Sequence, residues 1–200
     1  MNITEYESIK DLSYEKYCDY LQKKYGPGIC SFMFPSWQSN PKCKRTKEGL
    51  VAHHKFEDCA PKLSDPAEAQ KYPYEWQHGQ HIVYCDYLEH MLLHIIICEE
   101  KFEEATRGIF LGIRGLLQYI IPELNDVYSG WKTTQSWRAT CHSRILDDKD
   151  VYLKLIQRFK ERCYLNPLYS EKTLLSSYNG KYGLWEAANN KPLWDEIKAL

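Results

Sequence analysis

The segment from Asp86 to Phe102, DYLEHMLLHIIICEEKF, constrains this chain more than any other. It predicts a strong helix that begins near Asp86. The helix is apolar over most of its length. Yet it carries His90 and His94. Residues four apart share one helix face, so both imidazoles can reach one metal ion. Taken alone, such a pair is more often a core or surface pair than a chelate, and further residues have to decide.

Those residues lie upstream. All histidines except His142 fall between His53 and His94. His53 and His54 end a short predicted strand, Gly49 to His54, entered from a turn. Strand neighbours point to opposite sides, so two adjacent histidines can do two jobs, ligand and general base. A second extended segment is predicted at His81 to Cys85, just before the helix. Residues 57–80 hold Pro61, Pro66, Pro73 and Gly79 and read as a long connection, with one helical turn at Ser64 to Gln70. Long structured connections are often functional.

The spacing of Ala52-His53-His54, His81, His90 and His94 resembles the ββα-metal, or His-Me finger, nucleases. Within them it is most similar to the double-His H-N-H branch that includes the nuclease colicins. The resemblance covers roughly residues 45–97. It implies that His53, His90 and His94 are metal ligands and that His54 is the general base. His81 stands where the family usually has Asn, which orients the base through its side-chain carbonyl. A neutral imidazole can accept a hydrogen bond in that role, but a protonated one cannot. His78 and Gln80 are alternatives for it. The resemblance further implies an endonuclease that hydrolyses phosphodiesters, leaving 5′-phosphate and 3′-hydroxyl ends. The cofactor would be one divalent ion, zinc, nickel, magnesium or manganese.

Charge is informative only locally, because the net charge is −1. Lys42, Lys44, Arg45 and Lys47 precede the predicted finger and are expected to grip phosphates beside it. Residues 57–104 are acidic, and the stretch beyond is basic through Arg107, Arg114, Arg138, Arg144, Arg158, Lys160 and Arg162. Trp131, Trp137, Arg138 and Arg144 are candidates for further contacts, with core packing as the competing role for the tryptophans. The expected partner is nucleic acid, double-stranded DNA first, and a homodimer built on the helices after residue 104 would suit double-strand cutting.

Other classes are disfavoured. The eight cysteines form no C-x-x-C pair, which argues against a Cys-type zinc ribbon. The polar start MNITEYESIK and the lack of a long apolar run predict a cytoplasmic protein with reduced thiols and no membrane span. A zincin needs H-E-x-x-H, but Glu89 lies before His90 and the interior of the motif is apolar. The main rival is a non-catalytic, zinc-stabilised module that binds nucleic acid or protein, as a phage or mobile element would use.

The expected architecture is α+β, mostly helical, with an embedded ββα-metal finger. Its expected parts are an N-terminal helical and loop segment (1–44), the finger with an inserted loop (45–104), and a helical C-terminal region (105–200). Helices are predicted at 11–25, 104–120, 148–163 and 191–199. A tight turn is predicted at Asn179-Gly180.

Overall fold

The computed structural model describes residues 1–103, 111–163 and 185–200. It is mostly helical, with one two-stranded antiparallel sheet, an α+β arrangement. Helix α1 (Ile3–Ile9) and helix α2 (Tyr14–Tyr25) open the chain. Ser13 caps α2 by accepting from the Lys16 amide, and α2 ends at Gly26, whose φ of 81° lies in a region that favours glycine. Strand β1 (Val51–His54) pairs with strand β2 (Ile82–Cys85), His54 opposite Ile82 and His53 opposite Val83. The connection between them is long, as its prolines predict. It holds four-residue helix α3 (Pro66–Ala69) and several 3₁₀ turns.

Helix α4 (Tyr87–Glu100) is the centre of the fold. Asp86 and Glu89 form a reciprocal capping box that fixes its start. Glu89 is itself buried and accepts from Lys24 and Tyr25 on α2, so it is committed to the scaffold. Burial raises its carboxyl to about 7, with Asp86 adding to the shift and Lys24 opposing it. Ten residues of α4 are buried, so it is a core helix. It packs on the sheet, on α2, and on the later helix Lys149–Cys163.

After Gly112 the chain forms α5 (Ile113–Gly115), a π-helical turn (Leu116–Ile120) and α6 (Ile121–Tyr128). Then come α7 (Ser136–Ser143), α8 (Lys149–Cys163) and α9 (Ala187–Ala199). The helix expected at 104–120 is thus shifted in its described part. It starts after the positive-φ Gly112 and continues through Pro122 in α6, with the π-helical turn immediately before that helix. Helices α1 and α7 go beyond the sequence expectation. The Asn179-Gly180 turn and Arg107 lie outside the described residues. One hydrophobic cluster runs from Met1 through α2, α4 and α8 to Ile197. All eight cysteines are free, and all but Cys30 and Cys59 are buried. Among the described residues no helix is long and apolar enough to cross a membrane.

Candidate metal centre

His53, His90 and His94 each offer a ring nitrogen, and these atoms lie within 4.8 Å of one another. The three can therefore hold one metal ion. Strand alternation and helix periodicity both contribute. His53 leaves β1 towards α4, while His54 leaves it towards Phe32 and Gln77. His90 and His94 stand one turn apart on α4, their Nε2 atoms 3.2 Å from each other.

Hydrogen bonds set which nitrogen of each ring is free. Nδ1 of His94 donates to the carbonyl of Gly112 at 2.8 Å, because a carbonyl can only accept. Its Nε2 is therefore a lone pair facing the cluster. For His53 the tautomer is set at one remove. Tyr14 donates its hydroxyl proton to the carbonyl of His54 at 3.2 Å, so its oxygen accepts from His53 Nε2 at 2.8 Å. That leaves His53 Nδ1 as the lone pair. It is buried and has no hydrogen-bond partner. Buried polar atoms are nearly always satisfied, so an orphaned nitrogen aimed at two other imidazoles is what a ligand-ready site presents. Burial lowers the His53 pKa to about 3, with His94 and His54 adding to the shift and Glu57 opposing it. His90 is held well below its ordinary range by burial, His94 and His53. Both rings thus stay neutral, the form a metal needs.

The sequence reading missed Glu57. The 3₁₀ turn Lys55–Asp58 follows β1 at once and folds residue 57 back onto the strand end. Its carboxylate lies 3.6 Å from His53 Nδ1, 3.5 Å from His94 Nε2 and 3.7 Å from His54 Nδ1. Burial pushes the Glu57 carboxyl up, but His53, the contact with His54, and His94 outweigh it and hold it below the usual carboxylate range. The one sequence signal is spacing: an acid three and four residues after a His pair reaches both once the chain turns.

The expected partner of His54 needs correction. Gln77 holds it, with Oε1 3.1 Å from His54 Nε2. The Gln77 amide donates to the Leu63 carbonyl at 3.1 Å, which fixes its orientation. His54 Nε2 therefore carries the proton and Nδ1 is free. His81 instead has Nε2 3.0 Å from Gln80 and its ring against Phe56. The reason is local: His81 ends the 3₁₀ turn Gly79–His81, before β2 begins at Ile82, and that turn sends its ring to Phe56. His78 packs on Tyr74.

A cavity of about 470 Å³ opens beside the cluster, lined by Glu57, His90, His94, Lys62, Arg114 and Tyr119 among others. His54 does not line it and is 1% exposed. Nor does the basic run. Lys44, Arg45 and Lys47 line a separate cavity, Lys42 is exposed, and Arg45 is engaged by Glu48, the Tyr25 carbonyl and the face of Tyr84. Gly115 closes one wall: an added Cβ would lie 2.3 Å from His94 Cε1. Trp131 is buried, Arg138 stacks on it and pairs with Glu123, and Arg144 stacks on Tyr25.

No protein-family model, curated protein or solved structure matches the chain.

Proposed function

We propose that the chain is a metal-dependent endonuclease of the H-N-H kind, acting on nucleic-acid phosphodiesters, DNA first. The observation that carries this reading is the orphaned Nδ1 of buried His53, beside the ring nitrogens of His90 and His94. Two strands followed at once by a helix bring these residues together, in the order that a ββα-metal finger requires. Tyr14 and Gly112 support two of the ligands from behind, as outer partners of metal-bound histidines do.

A divalent ion bound there would polarise a phosphoryl oxygen and stabilise charge on the departing oxygen. The chain's own residues do the rest. Glu57 faces both the cavity and His54. It takes the proton of an attacking water and shares it with His54 Nδ1, while Gln77 holds the far nitrogen as the donor. His54 thus remains the base, acting through Glu57 rather than on the water directly. His81 has no part in this relay.

The rival reading, a structural zinc site without catalysis, draws on the same carboxylate. Three imidazoles and Glu57 can close a tetrahedral shell and leave no open position. The test is incubation of the protein with supercoiled plasmid and with single-stranded circular DNA in Mg²⁺, Mn²⁺, Zn²⁺ or Ni²⁺. Cleavage is expected with at least one ion. His54→Ala and Glu57→Gln are expected to cut by about a hundredfold or more less, in the range of a lost general base, with His54→Ala still binding metal. Full cleavage by His54→Ala would remove the relay. Metal binding without cleavage of either DNA would favour the structural site.

A further inference from the structure

The cavity beside the cluster has a composition of its own. Its charged lining is Glu57, Asp65, Lys62 and Arg114. The two acids are already engaged. Glu57 lies among the imidazoles, and Asp65 caps α3 by accepting from the Ala67 and Glu68 amides. The two cations are not. Neither Lys62 nor Arg114 has an ion-pair partner among the described residues. The formal charges of the lining balance, and its two cations are the groups left to meet an anion.

Tyr119 lies on the same wall and is 67% exposed. An exposed aromatic ring at the mouth of a cavity offers a face on which a base can stack. It is presented by the π-helical turn Leu116–Ile120, a distortion of the i→i+4 ladder that is frequent at functional sites. The cluster side of the cavity is only partly open: His94 is 4% exposed and His90 is half-buried.

From this combination we propose that the cavity takes a single-stranded polynucleotide, with a base stacked on Tyr119 and the adjoining phosphates held by Arg114 and Lys62. This deepens the nuclease reading and rests on it for the fate of the strand, but not for its binding. A duplex is stiff over about 150 base pairs and keeps its bases inside the stack. It cannot lower one phosphate onto the cluster side of the cavity while offering a base face to Tyr119. A single strand does both, because its bases are free to splay and stack. One site then suffices, with no second copy needed to cut an opposing strand.

The test uses metal-free protein in EDTA at one fixed ionic strength, with a fluorescein-labelled strand of about 16 nucleotides, the upper end of what one such groove covers. The strand is supplied as DNA, as RNA, and as the DNA duplex, and anisotropy reads binding. Either single strand is expected to bind at least about tenfold tighter than the duplex. Tyr119→Ala is expected to cost about tenfold, the loss of one stacked base, and Tyr119→Phe to keep the affinity. Arg114→Gln is expected to weaken binding and to lower the salt slope by about one. Equal or tighter binding of the duplex overturns the proposal, as does a Tyr119→Ala variant that binds normally. Duplex cleavage that ignores Tyr119 overturns it too, while leaving the nuclease reading intact. Tyr119-dependent strand binding with no cleavage under any ion supports the proposal and removes the nuclease reading instead.

Discussion

His142 and His53 are both buried, at 5% and 0% exposure, but the chain treats them differently. His142 Nε2 lies 2.5 Å from Glu123 Oε1, and Arg138 Nε approaches the same carboxylate at 3.0 Å. One carboxylate from α6 thus meets both side chains of α7. His53 has Tyr14 on one nitrogen and nothing on the other, and its nearest carboxylate stays 3.6 Å away. Around His142 the protein finishes its own electrostatics. Around His53 it gathers three ring nitrogens and leaves a place for a cation. A buried histidine by itself therefore signals nothing; what its second nitrogen faces is the informative part.

This contrast can be broken at either end. The largest expected effect is on the closed cluster. Glu123→Ala strands His142 and Arg138 without their carboxylate and should cost about 3–5 kcal/mol, the usual penalty for breaking a buried pair. Chemical denaturation measures it. Metal affinity should not change, and a parallel loss of metal binding would mean that the two clusters are one system.

An effect of similar size is expected from pH on the metal-free protein. The folded state keeps His53 neutral down to about 3, whereas the unfolded chain protonates it near about 6.5. The unfolded state therefore binds more protons in that window, and stability falls as pH drops below about 6.5. The slope for one such group reaches about 1.4 kcal/mol per pH unit. His90 shifts in the same direction, so the two add. Denaturation midpoints from pH 7.5 to 5 that stay flat would show that these rings are not held neutral. The same series with saturating metal at neutral pH should be more stable, since a ligand that binds only the folded state adds to its stability.

Parts of this were legible in the sequence because they are local. The pair His90 and His94 follows from helix periodicity, and the division of labour between His53 and His54 from strand alternation. The two strands and α4 were found where the pattern put them. Helix α7 was not, because Gln135 gives it no side-chain cap and its composition is mixed. Tyr14 and Gln77 were not either. Tyr14 reaches His53 across 39 residues, and Gln77 reaches His54 across 23. Nothing at either end announces such a contact. His81 was chosen by spacing along the chain, and the 3₁₀ turn that it ends carries it to Phe56 instead.

The central claim is that the open cluster takes one cation through His53, His90 and His94. Calorimetric titration of the metal-free protein with Zn²⁺, repeated on His90→Ala, tests it most directly. The account predicts one ion bound per chain, and a loss of more than about a hundredfold in affinity for the variant, beyond the 10–100-fold typical of outer-partner changes. A wild-type chain that binds no ion, or a His90→Ala variant that binds as tightly as wild type, would contradict it.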